Sequence, residues 1–469
     1  MPVARELSAC QQSLWLLHKL APASAAYNDG DAARISPAPD EAALRQAVRA
    51  VAARHDMLRS LFTDASGAPV RLVCDPDLVE LDVREVPAVT DDELYALARQ
   101  AVAAPFRLAE SGPFRVVLLH RGRDAVLVIA AHHIATDAAS QYLIWRDIFD
   151  AYQAFATGRE PDWPALPAGY DDYVARERRL LDSPAGLRMA QYWRGACAGG
   201  TAAELPLDRP RPQSPAFTGA TCRRQLTDEL TTQLRATSLA LGVTPFGYLL
   251  GAFQTLLYRY TGQPDLIIGC PASTRRSRAM RDVVGLFVNP IPLRAQFTPR
   301  TTFVDAVRSA GQQLTGGLAR ISYPSALLNG IPADRTPLFR IAFTMISPDR
   351  NNPLPDLVTA GTAIEICGHQ VTFLDTPHLE GQFDLSVEIT NTTSALTAVF
   401  RYDTELFQAS TIERLTDRFM RVIAAGCGRP GWRVTQIRLT DDTDQQQTLA
   451  MGTGAINIPR AHANAHNPA

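Results

Sequence analysis

The segment AAHHIATDAAS, residues 130–140, sets two adjacent histidines, His132 and His133, at the end of an apolar run, with Asp137 four residues beyond the second. An imidazole changes charge near pH ~6.5, so a histidine facing a cleft can accept or return a proton at neutral pH. Consecutive residues of an extended chain point to opposite sides, so one ring can face a cleft while the other packs inward. The same residues also read as two packed imidazoles beside a buried charge, and residue types alone leave both readings open. If Asp137 is buried it requires a cationic partner, because an unpaired buried carboxylate is costly. A metal is disfavoured: adjacent histidines on a strand cannot easily aim both nitrogens at one ion. The chain has no G-x-S-x-G elbow, no P-loop, and no G-x-G-x-x-G after a strand. RRSRAMR, residues 275–281, is a solvated basic loop or a phosphate contact.

The elements that must position these residues can be read from periodicity. Residues 39–62 carry Leu44, Val48, Val51, Met57, Leu58 and Leu61 on helical spacing, with Asp40 as N-cap. A second helix is expected near 91–104. FRVVLLH (114–120) and AVLVIAA (125–131) read as strands joined by an HRGRD turn, which puts the histidine pair where a strand ends. A helix over 139–158 follows. Proline-rich REPDWPALP and LPLDRPRPQSP bracket the helical YDDYVARERRLL and read as a connector. The second half repeats the mixture, with helices near 244–260, 303–318 and 409–424. Its strands are DLIIGCP, VVGLFVNPIPLR, LFRIAFTMI, FDLSVEIT and TAVFRYD.

At 469 residues the chain exceeds a single core, and two lobes are the default expectation. We place them at residues 1–180 and 181–450, with a disordered tail at 451–469. A net charge of −2, with no Arg-rich block interleaved with aromatics, argues against nucleic-acid binding. No leader-like apolar segment and no run of membrane-spanning length is found. Seven cysteines, none paired at two-residue spacing, argue against a zinc site and suggest reduced thiols in a cytoplasm.

Several segments, in this order along the chain, resemble condensation domains of nonribosomal peptide synthetases. LSACQQSLWLLHKL (7–20) resembles the family's S-x-A-Q-x-R-L-W, with Ser13 where arginine is common. RHDMLRSLF (54–62) is similar to R-H-E-x-L-R-T-x-F, and HHIATDA matches H-H-x-x-x-D-G except at its last position. YDDYVARE (170–177) resembles Y-x-D-Y-A-x-W. GCPASTR with VGLFVNPIPLR resembles G-T-P-x-A-G-R followed by G-x-F-V-N-T-x-x-x-R.

The resemblance implies a mixed α/β fold of two chloramphenicol acetyltransferase-like lobes, a V-shaped pseudo-dimer with a central tunnel. It implies acyl transfer from a thioester on a carrier protein to an amine or alcohol acceptor, with His133 as general base. His132 and Asp137 would support the site, with Arg275 of the second lobe as partner to Asp137. Ala138, Ser140, Asn289 and Ser347 are candidates for the pantetheine channel. Ala138 stands where the family has glycine, and matters if that backbone needs positive φ. No permanently bound cofactor or metal is expected; 4'-phosphopantetheine arrives on an acyl or peptidyl carrier protein, in trans if the chain is free-standing and monomeric. Arg276, Arg278 and Arg281 are candidates to meet an acidic carrier or a phosphate. The competing readings are an acyltransferase using soluble acyl-CoA and a non-catalytic module that recruits partner enzymes.

Overall fold

The computed structural model describes residues 3–440 apart from 66, 213–217, 329–336, 348–360, 362, 375–382 and 393–394. The tail expected at 451–469 lies outside the described residues. The chain opens with β1 (Val3–Glu6), α1 (Ala9–Leu20), β2 (Asn28–Ser36), α2 (Glu41–Arg54), β3 (Ser60–Ala65) and β4 (Ala68–Val73). β5 (Leu81–Glu85), α3 (Asp91–Ala103), β6 (Phe114–His120) and β7 (Ala125–His132) lead to the histidine segment. Three helices follow: α4 (Ala138–Ala156), α5 (Tyr170–Leu181) and α6 (Pro184–Cys197). Next come β8 (Gly219–Gln225), α7 (Asp228–Leu241), α8 (Pro245–Thr261), β9 (Asp265–Ser273), β10 (Val288–Gln296) and α9 (Phe303–Leu318). The last elements are β11 (Ile341–Ile346), β12 (Ile364–Ile366), β13 (His369–Leu374), β14 (Leu385–Asn391), β15 (Leu396–Asp403) and α10 (Ala409–Gly428).

Two six-stranded sheets carry the molecule, in the orders β12-β13-β2-β7-β6-β5 and β10-β9-β11-β14-β15-β8; β1, β4 and β3 form a small third sheet. Every residue of β7 is buried because the first sheet is covered on both faces. Val126 and Val128 pack with Leu94, Ala98 and Val102 of α3, whereas Leu127 and Ile129 pack with Val48, Ile144 and Ile148 of α2 and α4. The alternation of β7 thus serves two helical layers.

α2 starts as expected, with the Asp40 carboxylate accepting the Ala43 N–H at 2.7 Å. It ends at Arg54 rather than continuing to residue 62. Arg54 and His55 both bond Asp147 of α4, at 3.0 and 2.8 Å, and His55 leaves helical geometry with φ −115° and ψ 95°. Met57 and Leu58 reach the core from a short 3-10 turn, and Leu61 lies in β3. Tertiary pairing to a buried carboxylate overrides the helical period here.

A single cut at residue 180 does not describe how the sheets divide. The hairpin of β12 and β13, from the second half, adds to the first sheet, Val371 opposite Ile35 and Phe373 opposite Ala33. Val371 and Phe373 belong to the first lobe's core, as do Met280, Val283, Val284 and Phe287. Among the described residues no single helix is long and apolar enough to cross a membrane.

Candidate active site

β7 delivers the histidine pair. The ladder with β2 continues one residue past the strand, His133 N–H donating to the Tyr27 carbonyl at 2.7 Å. The two rings then separate, as an extended chain requires. His132 is buried, and its Nδ1 accepts the Ile134 N–H at 3.0 Å. Burial first, then the neighbouring His18 and His133, push its pKa well below the ordinary value, so it stays neutral. His18, Tyr27 and Phe106 surround its ring.

His133 is half-buried, and its Nδ1 lies 3.0 Å from the Thr136 carbonyl. A carbonyl oxygen only accepts, so Nδ1 carries the proton and Nε2 keeps its lone pair. Nε2 has no partner among the described residues. The ring is therefore fixed as a base with one open nitrogen.

Asp137 caps α4 and is buried. One oxygen accepts the Ser140 N–H at 2.8 Å, the Ser140 hydroxyl at 2.7 Å and Arg275 Nη2 at 3.0 Å. The other accepts the Phe287 N–H at 3.2 Å. Multiple donation of this kind, next to a helix N-terminus, stabilises a buried carboxylate without involving either histidine. Arg275 completes the expected pairing between lobes. It also donates through Nη1 to the carbonyls of Met280 and Val283, and lies 4.1 Å over the Phe287 ring. Tyr170 of α5 adds a bond to the Leu286 carbonyl at 2.9 Å. Gly285 is required there, since a Cβ would sit 2.2 Å from the Tyr170 ring. The segment before β10 is thus bolted onto the first lobe beside α4.

Four expected channel residues fare differently. Ser140 is fully buried, and its hydroxyl donates to Asp137 or the Gly285 carbonyl while accepting from Gly285 N–H and Arg275, so it is an interlobe joint rather than a channel wall. Asn289 is also buried: Nδ2 bonds the carbonyls of Ile321 and Tyr323, and Oδ1 takes the Ser325 N–H. Its amide is saturated by the loop it pins. Ser347 is exposed past the end of β11 and accepts from Asn391 of the adjacent β14. Ala138 is exposed as the first residue of α4, and its φ is not positive. An alanine is unstrained there, which removes the backbone objection to its replacing glycine. Arg276, Arg278 and Arg281 are exposed beside this joint.

Sequence reasoning assigned no role to Gln11, which holds the Ile134 carbonyl inside the histidine turn at 2.9 Å. In the sequence it is the glutamine of the segment similar to S-x-A-Q-x-R-L-W and the last residue of an S-x-x-Q capping box, and neither pattern points to the histidine turn.

The profile of the Condensation domain family matches residues 4–449. The chain belongs to this family. It is 31% identical over 98% of its length to the phosphinothricin tripeptide synthetase PhsC of Streptomyces viridochromogenes, and covers 42% of that protein. It is 30% identical over 96% of its length to a linear gramicidin synthase polypeptide of Brevibacillus parabrevis, and covers 9% of it. It thus spans less than half of these condensation-domain relatives. Among solved structures, the X-domain from teicoplanin biosynthesis superposes with a TM-score of 0.82 at 25% identity, covering 92% of this chain and 97% of that one. The first condensation domain of the calcium-dependent antibiotic synthetase superposes at 0.74 and 23% identity over 94% of this chain and 100% of that one, which places the fold among chloramphenicol acetyltransferase-like condensation domains.

Proposed function

We propose that this condensation domain joins an acyl or peptidyl group, carried as a thioester on the phosphopantetheine arm of a carrier protein, to an amine or alcohol acceptor. The observation carrying this reading is His133, with Nδ1–H fixed on the Thr136 carbonyl and Nε2 open. The acceptor nitrogen or oxygen attacks the thioester carbonyl while Nε2 takes its proton. Collapse of the tetrahedral adduct breaks the C–S bond. The thiolate leaves with the pantetheine arm and recovers the proton, and an amide or ester remains. Asp137 and Arg275 hold the two lobes in register and touch no reacting atom. Synthetases among the relatives support an amide and a natural-product setting; release onto a soluble acceptor, action in trans and a monomeric state belong to the same reading.

The second reading, a docking module without chemistry, draws on the likeness to the X-domain, which has been solved in complex with OxyB. One experiment separates the readings, and acyl-CoA use as well. Octanoyl-loaded carrier protein or octanoyl-CoA is offered with amine and alcohol acceptors, and product is followed by mass spectrometry. Turnover from the loaded carrier, lowered about 10²–10⁴-fold in His133→Ala, is expected. Equal turnover by the two proteins would remove the general base. Faster turnover from octanoyl-CoA would favour a soluble donor, and product formation by neither protein would favour docking.

A further inference from the structure

One face of α1 is turned toward the histidine turn. Gln11, Trp15 and His18 stand on it at helical spacing i, i+4 and i+7. The edge of His18 meets the His132 ring at 5.8 Å between centroids, and Trp15 stacks on His18 at 5.7 Å. Gln11, fully buried, reaches furthest. Its Nε2 donates to the Ile134 carbonyl at 2.9 Å and toward Met57 Sδ at 3.7 Å, while its Oε1 accepts the Ser8 N–H at 3.2 Å.

These partners dictate the residue type. Closing the capping box on Ser8 needs only an acceptor, and glutamate serves as well, with added favour from the helix dipole. The Ile134 carbonyl needs a donor. Only the amide of glutamine does both. Ile134 directly follows His133, and the rest of the turn hangs on His132: Ile134 N–H on its Nδ1 at 3.0 Å and Ala135 N–H on its carbonyl at 2.9 Å. A buried carbonyl robbed of its donor drives the peptide to rotate toward another one. Such a rotation moves the Thr136 carbonyl away from His133 Nδ1.

We propose that Gln11 is a positioning residue for the general base: by holding the Ile134 carbonyl it keeps His133 in the Nδ1–H tautomer with Nε2 free. The role of His133 in catalysis rests on the function proposed above, but its tautomer can be observed without turnover.

The test uses the full chain labelled with 15N-histidine, with His133→Ala assigning the His133 signals in long-range 1H–15N correlation spectra at pH 7.5. Wild type is expected to show His133 as the Nδ1–H tautomer. Gln11→Glu keeps the cap but cannot donate, and more than half of His133 is expected in the Nε2–H form; the buried carboxylate lowers the melting temperature, and the spectra are read well below it. With octanoyl-loaded carrier, kcat is expected to fall at least tenfold while KM for the carrier stays within twofold. Gln254→Leu, an equally buried glutamine in α8, should alter neither reading. Should Gln11→Glu not fold, Gln11→Met, of similar volume and unable to donate, is read in the same way. An unchanged His133 tautomer in the folded variant overturns the proposal, as does wild-type kcat in an active enzyme. A switched tautomer in a protein that never turns over supports the positioning role and refutes the proposed function instead.

Discussion

His132 and His133 share a residue type and differ in every bond. His132 spends Nδ1 as an acceptor inside its own turn, whereas His133 spends Nδ1–H as a donor and leaves Nε2 open. The buried neutral state of His132 has a consequence for stability. Its folded pKa lies well below the unfolded value of about 6.5, so the unfolded chain binds the proton first. Its contribution is complete above pH ~6.5 and declines as pH falls toward the depressed value, by up to about 1.4 kcal/mol per pH unit. Urea midpoints between pH 7.5 and 5.5 should therefore fall more steeply for wild type than for His132→Asn; parallel profiles would contradict the assignment. Ala138 leads to a different expectation. Since it is exposed at the first helical position without positive φ, Ala138→Gly relieves no strain. Turnover within twofold of wild type and a stability loss no larger than about 1 kcal/mol are expected. A large gain in turnover would show that the methyl obstructs the substrate path.

The element that matters most is the joint between α4 and the stretch from Arg275 to Phe287. Arg275 supplies Asp137 and Ser140 from the second half, and two carbonyls of its own loop depend on it. Arg275→Ala therefore leaves a buried carboxylate with fewer donors and strands those carbonyls, at a cost on the order of 3 kcal/mol. The urea midpoint measures it. A loss under about 0.5 kcal/mol would mean that water replaces the guanidinium. That Asp137 needs a cation if it is buried was legible, because the desolvation cost of a carboxylate is the same in any fold, whereas its burial came from the structure. The roles of Ser140 and Asn289 were not legible: a short hydroxyl or amide suits a channel wall and a buried joint equally, and burial decides.

At the scale of the whole molecule, the β12–β13 hairpin crosses from the second half into the first sheet. Phe373 packs edge-on to Trp145 of α4 at 5.1 Å, and both belong to the first lobe's core. Phe373→Ala is expected to cost about 3–5 kcal/mol, with the Trp145 environment and the second lobe lost in one transition. Two separated unfolding transitions, one seen by Trp145 fluorescence and the other by total circular dichroism, would show that the hairpin does not couple the lobes.

Legible in the amino-acid order were the strand that carries the histidines, most of the helices with the Asp40 cap of α2, and the family. These rest on local rules, because alternation, helical period and capping residues act within a few positions of one another. Pairings across more than a hundred residues, such as Arg275 with Asp137, were legible only through resemblance. Tertiary structure alone decided where α2 stops, that β12 and β13 leave their own half, and that Ser140 and Asn289 are sealed inside. It also decided the tautomer of His133, because a proton settles on the nitrogen that faces an acceptor. Thr136 offers that acceptor only once the turn is closed.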